Sequence, residues 1–274
     1  MIKFTGQFYK YKGYPKGYFL GEEKVDKAKI FKYTKYVVLR SMYREFCSSL
    51  ELCKMKLIIT GATGMVGSEV LRQSIADDEI ESVTIIVRRQ TDITHPKLKT
   101  IIHQIFLDYS NLTDVFKNND ACIWCLGISQ NLVSKEEYIK ITYDYTVAFA
   151  RDMLKVIDAM SFLFLSGRGA DNTEKTRVLF GKIKGRTENA LHQLPFQKLY
   201  IARPAGILPI HKQKNLAFIL RLQYALVKVF SYITPSFIIK SDELAKALIY
   251  IVKNNASSQL YNDVQLKQIA KQLS

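Results

Sequence analysis

Thr60-Gly-Ala-Thr-Gly-Met-Val-Gly67 places three glycines at GxxGxxG spacing directly after the apolar run Lys56-Leu-Ile-Ile-Thr60. Gly61 admits a tight turn, Gly64 lets a ligand approach the backbone, and Gly67 allows the next helix to pack closely on the strand. A helix that starts here offers free N–H groups and the positive end of its dipole, with Thr63, Met65 and Val66 in the same turn. That chemistry suits a diphosphate, and in this placement a dinucleotide. About twenty residues further on, such a domain places an acidic group to accept bonds from ribose hydroxyls. This chain instead reads Ile86-Val87-Arg88-Arg89. Arginine accepts no hydrogen bond, but its planar fork matches a 2′-phosphate. The expected cofactor is therefore NADP rather than NAD.

The remaining chemistry-bearing residues form no other recognisable constellation. Cys122 and Cys125 make a CxxC, but within the strand-like Asp120-Ala-Cys-Ile-Trp-Cys-Leu126 the two point to opposite faces, so they read as core packing. His95, His103, His192 and His211 have no ligand spacing, and no metal site is expected. Tyr143 and Tyr145 lie at helical spacing and read as packing aromatics; Arg168 reads as either an oxyanion contact or a surface residue.

The elements that must position these groups follow from periodicity. Lys56–Thr60, Ser82–Val87, Thr100–Phe106, Ala121–Leu126, Phe162–Ser166 and Lys198–Arg203 are short apolar runs, expected as six strands. Between them lie helical patterns over 65–76, from Asn111 (an N-cap with Asp114 three residues on), from the Ser134-Lys-Glu-Glu137 capping box, and over 178–194. Apolar runs alternating with helices imply a parallel sheet covered on both faces. The expected fold is α/β, a doubly wound Rossmann sheet of order 3-2-1-4-5-6 with a small helical C-terminal cap over 214–231 and 241–254. Residues 1–54 read as an irregular basic and aromatic extension, 55–255 as the dinucleotide-binding domain, and 256–274 as a tail. Because Met55 stands directly before the first strand, residues 1–54 read equally well as sequence upstream of a natural start.

Composition bounds the partners. The 274 residues carry 40 Lys and Arg against 25 Asp and Glu, a formal charge of +15. Residues 1–54 hold twelve of those bases and five of the acids, along with twelve aromatics, but the chain has no run of five like charges. This reads as a solvated basic surface rather than a nucleic-acid footprint. A membrane surface remains an option only for the basic amphipathic segment 214–231. No apolar stretch reaches the ~18 residues of a spanning helix, and no signal peptide is discernible, so a cytoplasmic setting is expected. The expected partners are a small-molecule substrate of unknown identity and, at most, a second copy of the chain.

The glycine turn, the Arg pair, Leu107-Asp108, Cys125-Leu-Gly127, Leu165-Ser-Gly-Arg-Gly-Ala-Asp171 and Arg203-Pro204 together resemble the atypical and extended branches of the short-chain dehydrogenase/reductase superfamily. The group most similar is the Tat-interacting-protein-like one. The resemblance spans about residues 55–255 and implies a role for several residues. Asp108 would contact the adenine amine, and Leu126 and Gly127 would line adenine and ribose. Pro204, Ala205 and Gly206 would lie beside the nicotinamide, and Ser166 would hydrogen-bond a substrate carbonyl. In that superfamily a YxxxK pair supplies the acid and the ribose contact; here the matching residues are Phe180-Gly-Lys-Ile-Lys184. Lys184 is kept, but Phe180 has no proton to give, and losing a positioned acid costs typically 10²–10⁴-fold in rate. Two functions follow as expectations: an NADP-dependent oxidoreductase or epimerase-like enzyme with an atypical site, and a non-catalytic NADPH-binding sensor.

Overall fold

The apolar runs are continuous because both faces of the sheet are buried. In the computed structural model, which describes residues 54–211, 237–254 and 259–273, neighbouring residues of one strand enter different cores. Leu57 and Ile59 of β1 (Met55–Thr60) join one core and Ile58 the other. On the first side lie α1 (Met65–Ala76) and α6 (Ser241–Lys253), which bring Val70, Leu71, Leu244 and Leu248. On the second side lies α4 (Tyr145–Leu154), with Phe149 and Met153 against Trp124 and Phe162. Each fully buried aliphatic or aromatic side chain contributes roughly 1.5–3 kcal/mol.

Seven parallel strands form the main sheet in the order β3-β2-β1-β4-β5-β6-β9. They are β1, β2 (Ile80–Val87), β3 (Leu98–Ile102), β4 (Ala121–Trp124), β5 (Ser161–Leu165), β6 (Leu199–Arg203) and β9 (Leu260–Asn262). The expected six-strand order stands, and the seventh strand comes from the segment read as a tail. There β9 pairs with β6, and α7 (Asp263–Gln272) follows it, opened by Asn262, whose side chain accepts the Gln265 N–H. Strand order reverses between β1 and β4, and Thr60 aligns with both Ile86 and Trp124. The glycine turn therefore leaves the carboxyl edge at the switch point, where open α/β sheets bind ligands. A separate pair, β7 (Gly206–Leu208) and β8 (Ile238–Lys240), lies after β6 in sequence.

Two local expectations are corrected. Strand three ends at Ile102 rather than Phe106. Phe106 is apolar because it packs edgewise on Tyr109 and beside Tyr145, not because the strand continues. Asn111 does not cap the short helix: Ser110–Leu112 form a 3-10 turn ahead of α2 (Thr113–Lys117), and Asp108 Oδ1 accepts the Ser110 N–H at 2.9 Å. The N-cap expected at Ser134 is present at α3 (Lys135–Ile139), where Ser134 Oγ accepts the Glu137 N–H at 3.1 Å. A π-helical segment, Lys140–Asp144, then links α3 to α4. The cap segment 214–231 and residues 1–53 of the N-terminal extension lie outside the described residues.

Candidate functional site

The turn after β1 has the geometry that its glycines require. Gly61 sits at φ +66°, and a Cβ there would lie 2.6 Å from the Cys125 carbonyl oxygen. A Cβ on Gly67 would meet the Gly61 carbonyl, with the carbonyl carbon at 2.7 Å. Helix α1 thus seats backbone on backbone against the turn. Its N-cap is Gly64, with no side-chain cap and no acidic residue in the first turn. Gly64 N–H bonds back to the Gly61 carbonyl at 2.9 Å and Thr63 is exposed, whereas the Val66 side chain is core. Val66 and Met65 therefore offer a ligand their backbone rather than their side chains. An anionic group fits this place: N–H donors face it, the dipole favours it, and no carboxylate of the first turn answers them.

Arg88 and Arg89 follow β2 at the same sheet edge; both are exposed, and neither makes an ion pair among the described residues. Asp108 is exposed, and its bonds with Ser110 hold its carboxyl below the usual carboxylate range. The turn that carries it is fixed by a residue the sequence reading did not single out. Buried His103 points Nε2 at the Ile105 and Asp108 carbonyls, at 2.9 and 3.0 Å, and stacks on Tyr109. Two acceptors facing one nitrogen require the Nε2–H tautomer. Leu126 N–H bonds to Thr60 Oγ at 3.4 Å, which ties the end of β4 to the turn, and Gly127 is exposed next to it. Pro204 is buried, and Gly206 opens β7.

The second half of the site lies beyond β5. Helix α5 (Leu179–His192) packs backbone to backbone against the loop 166–172 at two glycines. A Cβ on Gly181 would lie 2.5 Å from the Gly169 oxygen, and one on Gly185 2.8 Å from the Asn172 nitrogen. This approach seats the Phe180 ring on Gly167, whose Cβ would lie 2.5 Å from Phe180 Cζ. One turn later, Lys184 Nζ donates to the Leu165 carbonyl at 2.8 Å and lies 4.6 Å over the Phe164 ring. Burial pushes the Lys184 ammonium down to about 8, while Glu188 and Cys125 act in the opposite direction. Burial likewise pushes the Cys125 thiol up to about 12.

The Ser166 hydroxyl is engaged within the protein. It donates to Oε1 of Glu188, a carboxylate that is 1% exposed. Arg203 grips that carboxylate through Nε, at 3.0 Å, and Nη2, and Asn172 Nδ2 donates to its other oxygen at 3.1 Å. In the sequence Arg203 stands out only within Arg203-Pro204, and neither Glu188 nor Asn172 belongs to a motif. The available signal was a Lys184–Glu188 spacing of four on one helical face. Arg168 is turned away from Ser166: it pairs with Asp263 at 3.2 Å and covers the Phe237 ring. Tyr145 packs on Phe106, and Tyr143 lies under the Arg186 guanidinium. Cys122 and Cys125 enter opposite cores and are both free thiols. No metal-holding cluster occurs among the described residues.

Residues 57–177 match the NAD dependent epimerase/dehydratase family. Protein HTATIP2 of Rattus norvegicus is 25% identical over 162 residues, 58% of this chain and 65% of that protein, so the chain spans just under two thirds of this relative. Protein FMP52, mitochondrial, of Meyerozyma guilliermondii is 27% identical over 72% of this chain and 84% of that protein. Among solved structures, a short chain dehydrogenase from Burkholderia cenocepacia in complex with NADP superposes with a TM-score of 0.56 at 13% identity, covering 81% of this chain and 93% of that one. The structural likeness supports the fold. The mitochondrial label of the FMP52 relatives leaves the cytoplasmic expectation without support. No helix among the described residues is long and apolar enough to cross a membrane.

Proposed function

We propose that this chain, whose residues 57–177 match the NAD dependent epimerase/dehydratase family, is an NADP(H)-dependent oxidoreductase or epimerase-like enzyme with an atypical active site. The observation that carries the reading is the glycine turn at the switch point, where helix α1 presents its N–H groups with neither a side-chain cap nor a first-turn acid. The backbone N–H groups of Met65 and Val66 would hold the diphosphate, Asp108 and Gly127 would flank the adenosine, and Lys184 would hold the nicotinamide ribose. Arg88 and Arg89 support NADP over NAD, because a 2′-phosphate pairs with two guanidinium groups and an unphosphorylated ribose does not. When bound, a reduced nicotinamide supplies a hydride. The protein's own part is to orient the acceptor and to provide a proton.

Titration of the full chain with NADPH and NADH tests this reading. Trp124 is the single tryptophan and ends β4, close enough to the switch point to report binding through its emission. The expected result is saturable binding with NADPH at least about tenfold tighter, a difference of about 1.4 kcal/mol. Equal affinities would remove the Arg88/Arg89 assignment, and no binding by emission or calorimetry would remove the whole reading. A second reading, a binding-only NADPH sensor, is favoured by one observation: the side chain seated on Gly167 is Phe180, which carries no exchangeable proton.

A further inference from the structure

The place of the superfamily's acid is taken by Phe180, and the structure narrows what can stand in for it. Ser166 has one hydroxyl hydrogen, and it is committed to Glu188. A carboxylate only accepts, so this bond has one direction, and Ser166 turns lone pairs rather than a hydrogen to the site. Arg203 turns Nε and Nη2 to the Glu188 carboxylate and Nη2 also to Asn172 Oδ1, and Asn172 Nδ2 donates to Glu188 and Asn189. Arg168 is drawn off to Asp263, and Tyr143 and Tyr145 pack on Arg186 and Phe106. Lys184 is different. Its Nζ lies at the carbonyl of Leu165, the residue before Ser166, and one of its three N–H bonds is used there. The other two meet no acceptor among the described residues.

We propose that Lys184 is the proton donor of this site, doing directly what a tyrosine one turn earlier does in the superfamily pattern. The proposal rests on the dinucleotide reading above. When bound, a reduced nicotinamide would supply the hydride for the new C–H bond at a substrate carbonyl carbon, the carbonyl π pair moving to oxygen. That oxygen takes a proton from Nζ, the N–H pair stays on nitrogen, and the neutral amine regains its proton from water. Ser166 complements this by accepting a hydrogen bond from a substrate hydroxyl or amine. The favoured substrates are therefore carbonyl compounds with a neighbouring donor, such as hydroxyketones. The titratable groups acting on Lys184 are Glu188 on its own helix and Cys125 beyond β4. Burial makes its ammonium a readier acid than an exposed lysine.

The test uses the full chain and its K184R and K184M variants. Arginine keeps the charge and the hydrogen bonds but does not release a proton. Trace acetylation with acetic anhydride, read by mass spectrometry from pH 6 to 11 without cofactor, should give a midpoint for Lys184 near 8; a midpoint near that of exposed lysines overturns the proposal. Because Lys184 also holds the nicotinamide ribose in this reading, K184R is assayed at saturating NADPH. Turnover on a panel of hydroxyketones should fall about 10²–10⁴-fold, the range for losing a positioned acid. The wild-type rate should decline above about pH 8, and the residual K184R rate should not. K184R turnover equal to wild type overturns the proposal alone. Wild-type protein that binds NADPH but reduces nothing in the panel also overturns it, leaving the sensor reading. Wild-type protein that binds no dinucleotide sinks the underlying function as well.

Discussion

Replacing Arg203 with methionine should be one of the most damaging single changes in the chain, though it touches neither the glycine turn nor Lys184. Glu188 is 1% exposed, and Arg203 supplies two of the four hydrogen bonds that its carboxylate receives. Removing the guanidinium leaves a buried carboxylate with only Ser166 and Asn172, and breaking a buried pair from one side costs about 3–5 kcal/mol. For a folded unit of this size that is a fall in Tm of roughly 6–20 °C. Glu188→Met should cost less, about 1–3 kcal/mol, because Arg203 is 20% exposed and can still reach water and Asn172. The double variant should recover much of the R203M loss, since it leaves no unpaired charge behind. Urea unfolding of wild type and the three variants at pH 7 closes the cycle. A loss of less than about 1 kcal/mol for R203M would mean that Glu188 is not a buried ionised anchor. The direction assigned to the Ser166 hydroxyl would fall with it.

Three further outcomes are expected. Gly67→Ala puts a methyl group against the Gly61 carbonyl, where backbone stands on both sides; it should destabilise by at least about 1–3 kcal/mol and abolish dinucleotide binding by calorimetry. The R88Q/R89Q double variant should bind NADPH at least about tenfold more weakly, with NADH affinity unchanged, as read by Trp124 emission. Lys184 makes stability depend on pH with a definite sign. Its folded value near 8 lies below the ordinary 10.5, so between those limits the unfolded chain holds a proton that the folded chain has released, and stability rises with pH across that window. The difference between wild type and K184M in urea should therefore shift in favour of wild type by up to about 3 kcal/mol from pH 7 to pH 11. No shift would show that Lys184 is solvated.

The sequence by itself determined the Rossmann core, because its central strands carry short apolar runs that alternate with helical patterns. TGATGMVG read correctly as a strand–turn–helix because its glycines answer local demands: a positive φ at Gly61 and a backbone contact at Gly67 six residues away. The order of six strands followed from alternation and handedness, which are properties of neighbours along the chain. Strand three was drawn too long because burial of Phe106 off the strand leaves the same apolar letter as burial within it. The seventh strand was missed because Leu260–Asn262 is too short to show a period, and it is a strand only by pairing with β6. What tertiary structure alone decided is the chemistry beyond β5. Glu188, Arg203 and the pair Ser166 and Asn172 come from three separate segments, α5, β6 and the loop 166–172, and no local pattern marks a carboxylate that will be buried. Their meeting depends on Gly181 and Gly185 letting one helix approach one loop, and that approach commits the Ser166 hydrogen to Glu188 and carries Lys184 into the apolar surroundings that loosen its proton.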